Sequence, residues 1–257
     1  MKNFKVPFSL TLTTALQKTV STRMVCLLMA MVTSHALHAQ MNKRIYQADY
    51  DSKPIKFGYF VGIPYTHLNV KFNSHFVNQS NYIAITSPAT IGLKLGGLAN
   101  VYINDYFDFR ILPTVALYNR KLDYRYLDPL EPDPDKRLKE ISEERQSAWF
   151  ELPIMLKYKS DRRGNVRMYI FGGLRYALET NPIKRSNSRQ FNAKTSDLSI
   201  EYGTGLEIFR EYFKFAPELH FSHGLSNLVN PASSTGTALQ GVDRLTTHTV
   251  TLYFLFE

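Results

Sequence analysis

The sequence predicts an all-β protein: an eight-stranded antiparallel transmembrane β-barrel of the outer-membrane type, with four long extracellular loops and a side-chain-filled polar lumen. Three observations predict this fold. Apolar and polar residues alternate with a period of two along most of the chain, which is typical of β-strands. The connections between these segments alternate strictly between short and long, as in outer-membrane barrels. No run of about 18 apolar residues is present, so we expect no transmembrane helix.

The first residues of the chain have the pattern of a secretory signal peptide. Residues 1–39 contain four basic residues and no acidic residue, and they include the apolar run Met24–Val32. The small residue Ala39 stands at a plausible cleavage point. We therefore predict a cleaved signal peptide over 1–39, a short periplasmic segment over 40–55 and the barrel over 56–257. A buried helix is the alternative interpretation of the apolar run.

The composition excludes several classes of protein. A single cysteine, Cys26, excludes a disulfide framework and a cysteine-based zinc site. The net charge is +9, but the basic residues beyond the leader form no clustered stripe, so we expect no nucleic-acid partner. The glycine-rich stretch Gly92–Gly97 lies inside a predicted strand and lacks the helix that a phosphate-binding loop requires. We expect no cofactor.

Eight segments alternate strongly enough to be predicted as strands, and most reach the roughly 9–11 residues that a tilted strand needs to cross a bilayer. They are Lys56–Thr66, Ile91–Ile103, Phe107–Tyr118, Trp149–Tyr158, Val166–Tyr176, Leu198–Phe209, Phe213–Ser222 and Thr249–Phe256. The predicted long connections are 67–90, 119–148, 177–197 and 223–248. An even number of strands places both termini on the side of the short turns. We therefore expect an integral protein of the outer membrane of a Gram-negative bacterium, with periplasmic termini.

Each predicted strand has one face without charges, and in seven of the eight strands the other face carries charges. The uncharged face is expected to meet lipid and the charged face to fill the lumen, because eight strands enclose an interior just wide enough for side chains. Buried charges must pair, so we expect Arg167 and Arg175 to meet Glu151 and Glu201 or Glu207 of the two neighbouring strands. The predicted lumen charges are Lys56, Lys94, Asp108, Arg110, Glu151, Lys157, Arg167, Arg175, Glu201, Glu207, Lys214 and Glu218. A filled lumen argues against an open diffusion channel, and a gated pore is the alternative.

Aromatic residues mark the ends of the predicted strands. The last strand finishes with Phe254 and Phe256, which resemble the C-terminal aromatic signal that the barrel-insertion machinery recognises. Glu257 departs from that pattern, because the aromatic residue is usually the last one. Aromatic residues at strand ends are expected to form the interfacial girdles of the barrel. The candidates are Tyr65, Phe107, Tyr158, Tyr176 and Phe213.

Two local features depart from the plain strand pattern. Prolines fall inside four predicted strands, where the missing N–H weakens pairing, so we expect bulges or strand ends there. These are Pro64, Pro113, Pro153 and Pro217. Within the long connection 119–148, residues 135–145 carry charges in a helical spacing and predict a short helix. This loop is expected to be either a solvated connection or a docking element for a partner.

One group of residues has the composition of a catalytic site. His220 and Ser222 lie two apart near Glu218, which matches a nucleophile, a base and an orienting acid. Outer-membrane lipid A deacylases carry a His-x-Ser pair of this kind. However, the strand pattern places the pair in the lumen, and the only acid in the loop after it is Asp243. We therefore predict no catalytic residue and no metal site, since His220 and His223 lie on opposite faces and no other histidines cluster.

Four motifs resemble the Bacteroidetes outer-membrane barrels of the PorT type. They are the segments Trp149–Tyr158, Tyr169–Gly173, Glu201–Glu207 and His220–Asn227. The resemblance implies a non-enzymatic accessory component of the type IX secretion system, which exports proteins with a C-terminal sorting domain. It implies other type IX components as partners, together with outer-membrane lipid, lipopolysaccharide and the barrel-insertion machinery, and no small-molecule substrate. A structural or adhesion barrel remains one alternative, and a lipid A-modifying hydrolase is another.

Overall fold

A computed structural model of the chain describes residues 44–72, 82–128, 130, 132–133, 137–181, 194–229 and 242–257. A short 3-10 turn, Ala48–Tyr50, precedes eleven strand segments. These are β1 Ile55–Phe72, β2 Tyr82–Thr86, β3 Thr90–Ile91, β4 Leu93–Tyr102, β5 Phe107–Ile111, β6 Thr114–Leu127, β7 Leu138–Lys159, β8 Val166–Asn181, β9 Ser196–Phe209, β10 Lys214–Gly224 and β11 Val242–Phe256. In this part of the chain, no helix has the length and apolar character needed to cross a membrane.

The eleven segments close into a ring with eight positions, and every neighbouring pair is antiparallel. The segments β2, β3 and β4 lie end to end and together form one of the eight strands of the ring. The segments β5 and β6 together form the next strand. The ring closes at β1, which pairs with β11 through Tyr59↔Phe256 and with β4 through Phe57↔Ala99. The prediction of an eight-stranded antiparallel barrel is confirmed.

Side chains alternate between the outside and the inside of this ring. The outward positions are apolar and exposed, as in Phe57 (72 %), Ile91 (67 %) and Met168 (60 %). The inward positions are buried, and they include Lys94 and Arg110 at 0 % exposure. A continuous exposed apolar belt with charges inside is the arrangement that a lipid bilayer stabilises and water does not.

Aromatic side chains line both edges of the apolar belt. At the edge with the short turns, Tyr59 stacks on Phe256 with ring centroids 5.4 Å apart, and Phe107 lies 5.3 Å from Tyr158. At the opposite edge, the rings of Tyr202 and Phe221 are stacked at 5.8 Å. The predicted girdle residues divide accordingly: Phe107, Tyr158 and Phe213 lie at the inner edge, and Tyr65 and Tyr176 lie at the outer edge.

Each of the four strand prolines lies beside an interruption in a neighbouring ladder. Pro113 separates β5 from β6, so the expected strand end is found there. Pro153 in β7 faces that same break, and Pro64 in β1 faces the break between β3 and β4. The pairing of β10 with β9 is also interrupted beside Pro217. The missing proline N–H therefore falls where no ladder partner is required.

The strands extend further on the long-loop side than the sequence predicts. The pairing of β6 with β7 continues to Leu127↔Leu138, so the predicted helix over 135–145 is wrong from residue 138 onward. Residues 134–136 lie outside the described residues. The charged residues of this segment instead face opposite charges of β6 across the hairpin, as in Lys121↔Glu144 and Arg125↔Glu140. Cross-strand pairing of this kind stabilises a sheet in the way that i,i+4 pairs stabilise a helix.

Close strand approach at Gly173 provides a test of the packing. A Cβ at Gly173 would lie 2.0 Å from the carbonyl oxygen of Ile154, whereas a Cβ at Gly172 would meet only the Cβ of Tyr202, 3.9 Å away. Because a backbone carbonyl of the neighbouring strand cannot move freely, Gly173→Ala should lower the free energy of unfolding by about 1–3 kcal/mol. The measurement is urea-dependent unfolding in lipid vesicles.

The adjacent variant Gly172→Ala is the matched control and should unfold at the wild-type urea midpoint. Equal midpoints for Gly173→Ala and wild type would contradict the strand spacing described here.

Candidate functional site

The lumen carries the chemically distinctive part of the molecule. All twelve charged residues that the sequence assigns to the polar face are buried inside the ring, with exposures between 0 % and 5 %. Ten of these side chains contact one another, whereas Lys56 lies 3.8 Å from Asp51 and Asp108 lies 2.7 Å from Lys159. The resulting chain of contacts runs from the short-turn end of the barrel to the level of β9 residues 197–201.

Glu207 is the centre of the inner end of this chain. Its carboxylate accepts hydrogen bonds from Lys157, from Lys214 at 2.8 Å and from Arg167 at 2.6 Å. Arg167 also donates two hydrogen bonds to Asp51, at 2.9 and 3.1 Å. Partial burial opposes ionisation of Asp51, but the hydrogen bonds and charge of Arg167 hold the pKa of Asp51 below its usual value.

The last residue of the chain belongs to the same network. The carboxylate of Glu257 lies 2.8 Å from Lys214 and accepts a hydrogen bond of 2.8 Å from Asn100. Tyr50 also donates its hydroxyl proton to this carboxylate. Because Glu257 turns into the lumen, the outward aromatic residue that ends β11 is Phe256. Phe254 and Phe256, the residues predicted as a C-terminal signal, both lie on the outward face of β11.

Arg110 and Glu218 connect the inner and middle parts of the lumen. Arg110 donates to Glu218 through its guanidinium and to Asn100 through Nε at 2.6 Å. Tyr169 donates its hydroxyl proton to the same carboxylate. Since Asn100 also binds Glu257, the contacts pass without a break from the C-terminal residue to β10.

The middle of the lumen is organised around Glu151 and Arg175. Glu151 lies 2.8 Å from Lys94 and accepts a hydrogen bond of 2.6 Å from Tyr118. Arg175 lies 3.5 Å from Glu151 and 3.9 Å from Glu201. The structure therefore brings together the predicted partners on three strands: Arg167 with Glu207, and Arg175 with Glu151 and Glu201.

The candidate catalytic residues His220 and Ser222 lie in this lumen, at exposures of 1 % and 3 %. The two ring nitrogens of His220 contact carboxylates, Nδ1 with Glu201 at 2.6 Å and Nε2 with Glu218 at 2.7 Å. With both nitrogens donating, none is left to accept a proton from a nucleophile. The hydroxyl of Ser222 has no hydrogen-bond partner among the described residues. The pair is thus not arranged as nucleophile and base, and it faces away from lipid.

An apolar cluster lies beyond the polar network, at the long-loop end of the lumen. It is formed by Leu68, Ile85, Leu122, Tyr124, Leu228, Val229, Val242 and Leu245. The segment after β10 is tied into it by Asn227, whose side-chain oxygen accepts hydrogen bonds from the N–H groups of Val229 and Leu245. Ser226 similarly accepts a hydrogen bond from the N–H of Leu198. The Gly-Leu-Ser-Asn segment of the sequence therefore helps to cover the outer end of the barrel.

Several interior charged groups of the described residues escape the sequence analysis. Lys159 lies 2.7 Å from Asp108, and Arg120 packs its guanidinium over the ring of Trp149, 4.6 Å from the centroid. Asp197 lies 3.7 Å from Arg175. These three residues lie within two residues of a predicted strand end, so extending the alternation by two residues finds them. Glu257, described above, is another.

The expectation that no other histidines cluster is wrong. Strand register, which the sequence spacing does not reveal, aligns His67 and His223 with His248 on the outer surface.

A family comparison agrees with this architecture. The family described as "Outer membrane protein beta-barrel domain" matches residues 38–230. The chain belongs to this family. It is an integral β-barrel of the outer membrane. Among curated proteins, none matches the sequence.

Several solved outer-membrane structures are similar to this chain at low sequence identity. The N-terminal β-barrel domain of Pseudomonas aeruginosa OprF is 14 % identical, with 78 % of this chain and 99 % of that chain covered and a TM-score of 0.33. Neisserial surface protein A (NspA) is 8 % identical, with 79 % and 98 % covered and a TM-score of 0.39. OprG from P. aeruginosa is 9 % identical, with 77 % and 94 % covered and a TM-score of 0.42.

The three-cation cluster around Glu207 provides a test of the network. In Glu207→Gln a neutral amide would face Lys157, Lys214 and Arg167, all of which stay buried. Breaking a buried pair while its partners stay charged typically costs about 3–5 kcal/mol, so we expect a loss of that size in unfolding free energy. The measurement is urea-dependent unfolding in lipid vesicles.

The control is Glu140→Gln, because Glu140 pairs with Arg125 at 3.4 Å on the exposed part of the β6–β7 hairpin. Exposed pairs contribute about 0–1 kcal/mol, so this variant should stay close to wild type. Equal losses of unfolding free energy in both variants would contradict the claim that interior ion pairs contribute more to stability than surface ion pairs.

Proposed function

We propose that this barrel is a non-enzymatic accessory or scaffold component of type IX protein secretion, which supports the export of proteins bearing a C-terminal sorting domain. The proposal rests on the resemblance of the four motifs to barrels of the PorT type. The observation that carries the non-conducting role is the continuous network of ion pairs and hydrogen bonds across the lumen, from Asp51 to Arg175.

A scaffold role is favoured over a transport role by the interior. A conduit for polypeptide needs an open aqueous path, and this lumen contains paired charges below an apolar cluster. Displacing those side chains would separate several buried ion pairs at once, each separation being strongly unfavourable. The barrel therefore acts through its surfaces and connections rather than through its interior.

The β6–β7 hairpin is the described element best suited to contact a partner. Its outward face is apolar at Val115 and Leu117 and becomes polar and charged beyond Asn119. From Asn119 to Leu127 the paired strands extend by about 27 Å along their axis, at roughly 3.4 Å per residue. This part projects past the lipid belt, with β2 paired along β6 at residues 123–126. Its outward face carries mixed charges, which suits a polar protein partner.

The test is the secreted proteome of a deletion strain of the native host. Complementation with wild type should restore export of proteins that bear the sorting domain. A trimmed barrel, in which residues 121–144 are replaced by Asn-Gly to join paired positions Arg120 and Arg145, should reach the outer membrane but restore little export.

Ser222→Ala is the control for enzymatic activity, because it removes the only hydroxyl of the candidate catalytic pair. It should restore export as well as wild type does. Normal export in the deletion strain would contradict the secretion role and favour a structural or adhesion barrel. Failure of Ser222→Ala alone would point to the hydrolase alternative, to be checked by the mass of lipid A.

A further inference from the structure

Three histidines form a row on the outer surface of the barrel, where the first and last strands meet. In the ladder, His248 of β11 pairs with His67 of β1 on one side and with His223 of β10 on the other. Cross-strand partners share a face of the sheet, and their Cβ atoms lie about 4.5–5.5 Å apart. All three imidazoles therefore occupy one patch, although the residues are far apart in the sequence.

Two of the imidazoles point the same nitrogen at each other. The Nδ1 atoms of His223 and His248 are 2.8 Å apart, so in the metal-free protein a single proton is shared between them. The His248 ring is also held by His67, whose ring stacks on it with centroids 5.6 Å apart. Two convergent lone pairs on rigid neighbouring strands are the basic requirement of a chelating pair.

The opposite nitrogens of both rings face hydroxyl groups. Nε2 of His223 is 3.1 Å from the hydroxyl of Tyr202, and Nε2 of His248 is 3.5 Å from that of Thr246. Histidines that bind metals usually donate their second N–H to such a partner, which fixes the tautomer that leaves the other nitrogen free for the metal. This differs from His220, whose nitrogens both contact carboxylates.

The position of the row makes it accessible to ions. His67 lies ten residues beyond Phe57, the first outward aromatic of β1. That distance is about 34 Å along a strand, or about 25 Å of height at a tilt of roughly 40°, which is the height of the apolar belt. The row therefore stands at the outer interface, and His67 and His223 are exposed there.

We propose that His223 and His248 form a binding site for a divalent transition-metal ion of the class of Zn²⁺, Ni²⁺ or Cu²⁺. Imidazole nitrogen is a preferred ligand of these ions. The metal would replace the proton shared by the two Nδ1 atoms, and solvent would complete its coordination. Bonds of 2.0–2.1 Å at a tetrahedral angle require nitrogens about 3.3 Å apart, so the two rings need to separate by about 0.5 Å.

The site uses two protein ligands. Among the residues that the structure describes, no three His, Cys, Asp or Glu side chains are grouped to hold a metal ion. We accordingly assign His67 a packing role against His248 rather than a ligand role. A metal at this position would link β10 to β11 next to the strand pair that closes the barrel.

The test is calorimetric titration of the tag-free mature barrel in detergent with Zn²⁺ alone at fixed pH. One Zn²⁺ should bind per chain, and His223→Gln and His248→Gln should each weaken binding by at least tenfold. Tyr202→Phe should weaken binding by about tenfold, because it removes the hydroxyl that fixes the ring of His223. His67→Phe, which keeps a ring against His248 but carries no nitrogen ligand, is the matched control and should stay within about threefold of wild type.

Heat-dependent gel mobility checks that each variant is folded, and electron paramagnetic resonance with Cu²⁺ counts the ligands directly. Coupling to two imidazole nitrogens in wild type, reduced to one in either single variant, is the expected result. Unchanged Zn²⁺ affinity in both His223→Gln and His248→Gln would overturn the proposal. So would a loss in His67→Phe equal to the loss in those variants.

Discussion

The structure depends on one constraint, which is that charges enclosed by eight strands have to neutralise one another. The interior is too narrow to hydrate them, and an unpaired buried charge is strongly destabilising. The chain meets this constraint with carboxylates that each serve several cations, such as Glu207 with Lys157, Lys214 and Arg167. Neighbouring clusters are joined by Asn100 and His220, so the network holds most strands of the ring together.

The alternation of side chains made most of this architecture predictable. Within the bilayer, lipid requires one face of every strand to be apolar, and the lumen accepts charge, so a period of two identifies both faces. This is why the lumen residues and the partners of Arg167 and Arg175 could be named from the sequence. The strand end at Pro113 was predictable from the sequence. The interruptions opposite Pro64 and Pro153 were not, because each of them lies in a neighbouring strand.

The features that could not be predicted lie beyond the bilayer or depend on strand register. Above the lipid belt both faces of a strand can be polar, so the contrast disappears, and residues 138–145 carry a charge spacing that also suits a helix. The row of His67, His223 and His248 exists only because three strands pair in one register. The interior position of Glu257 likewise follows from the registration of β11 against β10, where Lys214 exchanges backbone hydrogen bonds with it.

The measurement that tests the closed lumen most directly is the electrical conductance of single barrels in a planar lipid bilayer. The ion-paired interior and the apolar cluster at the outer end predict that the current stays at baseline after the protein inserts into the membrane. Insertion is verified by the heat-dependent gel mobility of protein recovered from vesicles of the same lipid. A steady open-state current, with steps comparable to those of a water-filled pore, would contradict the account.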